Sequence, residues 1–387
     1  MSGHKASTVD TSRRAFLKVS LAASGALVIG VGWSTAGADT AMEGDTWKPN
    51  LYVRINRDGT VTIVSKNPEA GQGVKTAFPM VVAEHLEIPW NRVSVEQAPL
   101  DDRYGRQVVG GSRGTPDGWN DLRIAGAGAL LLLRSAAAAG WGVPVTECTA
   151  TDGVVHHETS GRKAAYETLL EAAAVQPVPR VSDLKLKERP EEFKLLGRFV
   201  PGVDNQKIIH GKPLFGCDVR MEGMLYAQYV KCPSFGGRVR AANAEDVKKQ
   251  PGITHCFVVE GTDNLAGLMP GVAIVGETWW AVNKARDVLK VDWETTHSDS
   301  SAGYAAEAEK LARGRGETLR SDGEVERALD SAARVVEARY YYPFVSHANL
   351  EPQVATAVFD AGGKLNMRAP SQNPRGAREL IARTLGM

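Results

Sequence analysis

The sequence predicts a multidomain α+β protein. The chain has 387 residues, enough for two or three domains, and its hydrophobic content of 43% suits buried cores. Strand-like and helix-like periodicities alternate along most of its length. A stretch rich in proline and charge, residues 176–204, separates an earlier set of these elements from a later one and is typical of a linker.

A strand hairpin is expected first. The segments LYVRIN and TVTIVS, within residues 51–65, alternate apolar and polar side chains around Asp58-Gly59, a strong turn signal. A further strand is expected at residues 91–99. The first domain should therefore contain a sheet.

A first glycine-rich loop, Gly71, Gln72 and Gly73, joins this hairpin to a helix. Apolar residues recur at helical spacing over 74–86. We expect the helix to begin near Thr76, which can cap it, with Pro79 in its first turn. Free N–H groups at a helix N-terminus stabilise an anion, and glycines let a ligand come close. For one such loop alone, an ordinary strand-to-helix turn is the favoured interpretation.

A second glycine-rich loop precedes the next helix. Its residues are Gly110, Gly111, Ser112, Arg113 and Gly114. Thr115 is expected to cap the helix and Pro116 to take its first position. Two such loops in one domain favour a ligand cradle over two ordinary turns.

Four other features have competing interpretations. The second loop matches the G-x-S-x-G elbow of serine hydrolases, but a charged segment precedes Ser112 where an elbow needs a buried strand, so a hydrolase is the weaker hypothesis. His156 and His157 should point to opposite faces of a strand and lie at the surface. Glu351, before a proline, could be a base or a turn residue. Gln372 lies in a strand-to-helix turn, where its amide could donate to a ligand oxygen.

Composition excludes some functions. The net charge is +1 without a basic block, which argues against nucleic-acid binding. The four cysteines have no C-x-x-C spacing, which argues against an iron–sulfur cluster or structural zinc in this chain, while disulfides stay open.

The N-terminus carries an export signal. Arg13-Arg14 and then Phe16-Leu17-Lys18 precede a modest apolar run and an Ala36-Gly37-Ala38 site, the pattern of a twin-arginine signal. This predicts a periplasmic protein that is exported already folded. Whether the signal is cleaved or retained as a membrane anchor is left open.

The later elements are also mixed. Residues 205–295 are expected to form strands near MLYAQYVKC, ITHCFVVE and VAIVGE, with helices between them. The last stretch should contain two helices, then strands that include RVVEARYYYP (334–343), and a final helix after SQNP.

Together these motifs resemble one family, the molybdopterin-binding large subunits of the xanthine dehydrogenase/aldehyde oxidase class. The nearest branch is that of the isoquinoline 1-oxidoreductase beta subunits. The segments that carry the resemblance are GQGVKTAFPMVVAEHL (71–86), GGSRGT (110–115), GKPLFGCDVRMEGMLYAQYVKCPSFGGRV (211–239), HANLEPQ (347–353) and APSQNPRGARELIARTLGM (369–387).

The resemblance implies a molybdenum hydroxylase large-subunit fold. The expected domains are a twin-arginine signal at 1–40, a molybdopterin-binding part in rearranged order at 45–175, a linker at 176–204, an aldehyde oxidase a/b hammerhead domain at 205–295, and the start of a second molybdopterin-binding domain at 296–387. The family's catalytic glutamate would lie beyond this last residue, so the fold is expected to be incomplete at the C-terminus. No catalytic residue and no direct metal ligand is identified in the chain.

The resemblance also implies a cofactor and an activity. Both glycine loops, through Thr115, would hold a molybdenum–molybdopterin cytosine dinucleotide cofactor, and Gln372 would approach the molybdenum oxo ligand. Such enzymes oxidise N-heteroaromatic compounds or aldehydes with oxygen from water and pass electrons to a [2Fe-2S] small subunit. A second chain would supply the missing half, without which this chain would be inactive. The alternative is a non-catalytic, truncated or assembly partner of the same fold.

Overall fold

The computed structural model describes residues 41–295 and 299–387, and the twin-arginine segment lies outside them. Backbone contacts divide the described chain into two compact units. The first unit contains residues 41–214 and 368–379; the second contains the described residues of 215–367 together with 380–387. Helices and strands occur in both, in agreement with the α+β class.

A five-stranded sheet forms the base of the first unit, in the order β1-β2-β3-β4-β5. Its strands are β1 (Ala41–Glu43), β2 (Thr46–Lys48), β3 (Val53–Asn56), β4 (Val61–Ser65) and β5 (Val93–Gln97). The predicted hairpin and the following strand are confirmed: β3 and β4 pair antiparallel, and β5 pairs parallel to β4. A parallel neighbour requires a crossover, and a helix supplies it.

That crossover is helix α1 (Val74–Leu86), which packs against the 28-residue helix α2 (Gly114–Trp141). The two helices approach so closely at Gly126 that a Cβ placed there would lie 2.4 Å from the Val82 carbonyl oxygen. Phe78 and Val82 from α1 and Leu122 from α2 are fully buried with the inner side chains of β3 and β4. Both glycine loops are thereby attached to one rigid core.

Both predicted helix starts need correction. Helix α1 begins at Val74 rather than near Thr76, and Gly73 precedes it with a φ of 86°. Thr76 is no cap, because its hydroxyl accepts a hydrogen bond from the Val203 N–H at 3.0 Å. Helix α2 begins at Gly114 after Arg113, so Thr115 lies inside the first turn and does not cap it.

A second small sheet of the first unit contains β6 (Cys148–Thr151), β7 (Val154–His157) and β8 (Arg162–Ala165), followed by the short helix α3 (Leu170–Ala174). The surface position expected for His157 is wrong. The side chain is buried, and its two ring nitrogens lie 2.7 Å from the Ser160 hydroxyl and 3.0 Å from a Glu147 carboxylate oxygen. These polar partners offset the cost of its burial.

Residues 176–204 belong to the first unit and contain only short 3₁₀ turns. The Glu84 side chain of α1 binds this segment through hydrogen bonds. Its carboxylate is buried and accepts hydrogen bonds from the ammonium group of Lys187 and from the main-chain N–H groups of Lys194, Leu195 and Leu196. Burial raises the pKa of Glu84, but these donors outweigh it and leave the pKa below its usual range.

The first unit also contains the short helix α4 (Asn205–Ile209). The second unit begins with strands and short helices, which are β9 (Tyr226–Lys231), β10 (Arg238–Ala242), α5 (Ala244–Lys248), β11 (Ile253–Val259), β12 (Gly271–Gly276), α6 (Trp279–Val288) and β13 (Val291–Glu294). The three predicted strands are confirmed as β9, β11 and β12, which form one antiparallel sheet with β12 in the centre. Its core is small and is centred on Val272, Ile274 and Val282.

The last part of the chain contains α7 (Ser301–Ala312), α8 (Val325–Asp330), β14 (Thr356–Phe359), β15 (Leu365–Arg368) and α9 (Pro374–Leu385). The final helix is confirmed. The strand expected at 334–343 is wrong, because this segment has no regular structure and all of it is exposed. A strand needs a paired neighbour, and a high strand propensity does not provide one.

Among the described residues, α2 is the one helix long and apolar enough to cross a membrane. Of its most apolar window, 67% is buried inside the protein, as in the core helix of a water-soluble domain.

Candidate functional site

The structure brings the second glycine loop and Gln372 together in the first unit. The Val109 N–H donates to the Gln372 carbonyl oxygen at 2.9 Å. Arg375 forms an ion pair with Asp102 in the same region. The side chain of Gln372 is exposed, so its amide is available beside the loop.

Asn67 precedes the first loop in sequence and contacts the segment that leads into the second loop. Its Nδ2 atom donates to the Val108 carbonyl oxygen at 3.1 Å, and a Cβ placed on Gly114 would lie 3.5 Å from the same Nδ2 atom. Gln97 in turn donates to the Asn67 carbonyl oxygen at 2.9 Å. The two glycine loops and Gln372 therefore all belong to the first unit.

The second loop presents open donors at the start of α2. Gly111 and Ser112 are both left-handed, with φ values of 60° and 55°, and nothing lies within 4 Å of a Cβ placed on Gly110. Within the described chain, the N–H groups of Gly114 and Thr115 have no hydrogen-bond partner. Unpaired N–H groups at the positive end of a helix dipole favour an anion.

The charges around this loop also favour an anion. The guanidinium groups of Arg106 and Arg113 both contact the Asp117 carboxylate, at 3.0 and 2.7 Å. One carboxylate thus pairs with two guanidinium groups. These three side chains together keep a net positive charge at an exposed surface. Arginine is well suited to phosphate because its planar fork can donate two hydrogen bonds at once.

A buried ion pair supports the loop from below. The Lys66 ammonium nitrogen lies 3.6 Å from an Asp121 carboxylate oxygen of α2, and Gln107 donates to the Lys66 carbonyl oxygen at 2.9 Å. Burial raises the pKa of Asp121, while the attraction of Lys66 opposes this rise. The pair connects the end of β4 to the first turns of α2.

Asn67 is a polar residue that the sequence reasoning missed. The side chain is 3% exposed, and its Oδ1 atom has no partner among the described residues. A buried acceptor without a donor carries a free-energy cost and calls for a ligand or an ordered water. The available signal was its place directly after an apolar strand and before the glycine loop.

The first loop differs from the second because its donors are already used. The Glu69 carboxylate accepts hydrogen bonds from the N–H groups of Gly71, Gly73 and Lys75, at 2.8, 3.0 and 2.8 Å. The expectation of free N–H groups at this helix end is therefore wrong. The side chain that occupies them, Glu69, is two residues before Gly71.

The other candidate residues do not form a catalytic arrangement within the described part of the chain. Within the described chain, the Ser112 hydroxyl has no histidine partner, and no strand leads into it. Glu351, in the second unit, accepts a hydrogen bond from the Gly216 N–H at 3.2 Å. No group of three His, Cys, Asp or Glu side chains in the described residues could hold a metal ion. The residues of the first unit instead fit an anionic, phosphate-bearing ligand at the second loop.

Comparison with known proteins agrees with this kind of ligand. Two family models of a molybdopterin cofactor-binding domain match residues 6–194 and 309–387, more than half of the chain together. The first match contains both glycine loops and the second contains Gln372. Fold and site thus define a molybdopterin cofactor-binding protein.

Two curated relatives narrow the class. The isoquinoline 1-oxidoreductase subunit beta of Brevundimonas diminuta is 31% identical over 76% of this chain and 42% of its own length. A membrane-bound aldehyde dehydrogenase (pyrroloquinoline-quinone) of Gluconacetobacter polyoxogenes is 27% identical over 93% of this chain and 48% of its own length. The chain belongs to the molybdopterin-binding subunits of the xanthine dehydrogenase/aldehyde oxidase class, in the beta-subunit branch.

The chain spans about half the length of these two relatives. Among solved structures, quinoline 2-oxidoreductase of Pseudomonas putida is 17% identical with a TM-score of 0.37, over 47% of this chain and 27% of that one.

Proposed function

We propose that this chain is the molybdopterin-binding subunit of an exported molybdenum hydroxylase. The complete enzyme would oxidise N-heteroaromatic compounds or aldehydes with oxygen from water, and a partner with [2Fe-2S] clusters would take the electrons. The observation that carries the proposal is the open second loop at the start of α2, inside a region that matches a molybdopterin cofactor-binding domain.

The second loop would hold a phosphate of the cofactor, in its cytosine dinucleotide form. The N–H groups of Gly114 and Thr115 would donate to phosphate oxygens, and Gly110 leaves room for the ligand to approach. Arg113 would add a charge-assisted hydrogen bond. Gln372, held beside this loop through Val109, would direct its amide toward the ligand. When bound, the cofactor supplies the two-electron redox chemistry, and the chain supplies binding and orientation.

A partner chain is part of the proposal. The stretch from 334 to 350 is exposed throughout and contains large apolar side chains. Those more than half exposed are Val335, Val336, Tyr340, Tyr341, Tyr342, Phe344, Val345 and Leu350. A contiguous apolar surface of this kind marks a protein–protein contact. We infer that this surface is covered by protein in the complete enzyme.

The hammerhead assignment of 205–295 and the periplasmic location are further parts of the proposal. The location depends on Arg13 and Arg14. Their replacement by lysines should keep the chain in the cytoplasm, as measured by fractionation, whereas unchanged export would refute the twin-arginine route.

The test of the cofactor site is the molybdenum content per chain. The full chain would be purified through a C-terminal tag, with any chains that accompany it, from a host that makes the cytosine dinucleotide cofactor. Elemental mass spectrometry then gives the metal content. We expect near-stoichiometric molybdenum together with accompanying chains.

A matched pair of variants locates the site. Gly110 and Gly316 both have ordinary φ values and open space where a Cβ would be, so the fold should tolerate valine at either position. We expect Gly110→Val to lose most of its molybdenum and Gly316→Val to retain it. Equal molybdenum in the two variants would remove the second loop from the site. Absence of metal in the wild-type preparation would favour the non-catalytic alternative, and labelling of Ser112 by a fluorophosphonate would favour a hydrolase.

A further inference from the structure

A serine, a histidine and a glutamate form a chain of hydrogen bonds in the small β6–β7–β8 sheet of the first unit. The Ser160 hydroxyl lies 2.7 Å from Nδ1 of His157, and Nε2 of the same ring lies 3.0 Å from a carboxylate oxygen of Glu147. Covalent catalysis by serine uses these three parts, a nucleophile, a base beside it and a group that orients the base. The glycine-loop serine, Ser112, has no histidine partner within the described chain.

The sheet and its turn bring the three side chains together. His157 is the last residue of β7, and Ser160 ends the 3₁₀ turn Glu158–Ser160 that leads to β8. Glu147 directly precedes β6, whose first residue, Cys148, is paired with His157. The contact between His157 and Glu147 therefore follows from the register of two paired strands, and the contact with Ser160 follows from the turn.

The hydrogen bonds decide which ring nitrogen holds the proton. In a neutral imidazole, one nitrogen donates and the other accepts. A carboxylate can only accept, so Glu147 requires the proton on Nε2. Nδ1 then presents its lone pair to Ser160, and the serine hydroxyl is the donor. This is the arrangement in which a histidine can remove the proton of a serine.

Burial protects the base and leaves the nucleophile accessible. The His157 side chain is 4% exposed, and its ring centroid lies 6.4 Å from that of Trp141. Packing and two hydrogen bonds hold the ring in one orientation. Ser160 is exposed, so a small electrophile can reach its hydroxyl from solvent.

We propose that Ser160 is a nucleophile activated by His157, and that this site hydrolyses small activated carboxylic esters. The Ser160 oxygen bonds to the acyl carbon while its proton passes to Nδ1. The bond from that carbon to the leaving oxygen breaks, and this oxygen takes the proton from Nδ1. Water then attacks the acyl-serine with the same proton transfers, which releases the carboxylic acid and restores Ser160. Glu147 is the positioning residue, and its charge stabilises the imidazolium that forms in each step.

The activity requires no oxidant, reductant or cofactor, so it is independent of the proposed molybdenum chemistry. Its test uses the full chain with two probes, p-nitrophenyl acetate as the ester and a fluorophosphonate that labels reactive serines. Peptide mass spectrometry gives the labelling rate at each serine. Ser182 is the matched control, because it is an exposed serine of the same unit whose hydroxyl contacts the Asp183 carboxylate, at 3.3 Å, rather than a histidine.

We expect Ser160 of the wild type to be labelled about a hundredfold faster than Ser182. His157→Gln should reduce the rate at Ser160 to that of Ser182. Glu147→Gln keeps an acceptor for Nε2 but removes the charge, so labelling of Ser160 should be about tenfold slower. Because the Glu147 side chain is half-exposed, this variant should keep the wild-type Tm, whereas a purely structural role would change the Tm and not the labelling rate. Ester hydrolysis should disappear in Ser160→Ala and persist in Ser182→Ala.

Three outcomes would overturn the inference. They are equal labelling of Ser160 and Ser182 in the wild type, unchanged labelling of Ser160 in a folded Glu147→Gln chain, and undiminished ester hydrolysis by Ser160→Ala. If His157→Gln does not fold, Glu147→Gln and Ser160→Ala still decide the result. The molybdenum content of wild type and Gly110→Val tests the cofactor site separately, so either proposal can fail while the other stands.

Discussion

The contact between α1 and α2 at Gly126 provides a sharp test of the fold. A Cβ at this position would lie 2.4 Å from the Val82 carbonyl oxygen, 3.0 Å from the His85 Cβ atom and 3.2 Å from the Leu86 nitrogen. Two of these three atoms belong to helix backbone, which cannot turn aside as a flexible side chain can. Gly126→Ala should therefore push the two helices apart.

The cost follows from the geometry. An ordinary contact needs roughly 1 Å more than the 2.4 Å available, so α1 must move as a body against a close-packed core. Overpacking of this kind costs about 3 kcal/mol, and the better helix propensity of alanine returns about 1 kcal/mol. We expect Gly126→Ala to lower the free energy of unfolding of the first unit by about 2 kcal/mol.

Gly140 in the same helix is the matched control. It is exposed, and nothing lies within 4 Å of a Cβ placed there, so Gly140→Ala should be neutral or stabilising by up to about 1 kcal/mol. Urea unfolding, followed through hydrogen exchange of the α1 amides, reports on the first unit separately from the second. Because each helix begins at one glycine loop, Gly126→Ala should also reduce molybdenum loading.

A Gly126→Ala variant at least as stable as Gly140→Ala would contradict this prediction. That result would mean that the helices are not in contact at this glycine. A variant that is less stable but fully loaded with molybdenum would support the helix contact. It would also show that the distance between the helices does not control cofactor binding at the loops.

Three further predictions concern buried polar groups of the first unit. Glu84→Ala should cost about 3 kcal/mol and release residues 194–196 to rapid hydrogen exchange, because three N–H groups lose their acceptor and Lys187 keeps only Glu87 as its partner; slow exchange in the variant would contradict this. Burial lowers the pKa of His85, so the free energy of unfolding should fall as the pH drops below about 6.5, the unfolded-state value. Denaturation measured over this pH range should show a smaller loss of stability for His85→Leu. Tyr166→Phe should cost about 1 kcal/mol in thermal unfolding, because the buried hydroxyl donates to the Leu86 carbonyl oxygen at 2.8 Å; an unchanged Tm would argue against that bond.

Local patterns in the sequence were sufficient to predict many of the helices and strands. The β3–β4 hairpin follows from side-chain alternation around Asp58-Gly59, and helix α9 follows from the start signal before Pro374. The glycine content of the two loops was visible in the same way. These features depend on residues close together in the chain, so a linear pattern contains them.

Errors arose where a partner distant in sequence decides the structure. Thr76 has the chemistry of a helix cap, but it is an acceptor for Val203. His157 is polar, yet it is buried because Glu147 and Ser160 satisfy its ring nitrogens. The segment 334–343 has strand-forming side chains but no neighbouring strand within the described residues.

The sequence by itself determined the two glycine loops before helices and the order of most elements, because these depend on composition and spacing. Its motifs also carried the resemblance to the family. Tertiary structure decided that the second loop and Gln372 lie together, that Asn67 is buried with a free acceptor, and that Glu69 fills the donors of the first loop. Hydrogen bonds of this kind depend on which atoms come within about 3 Å after the chain has folded. Spacing along the chain does not contain that information.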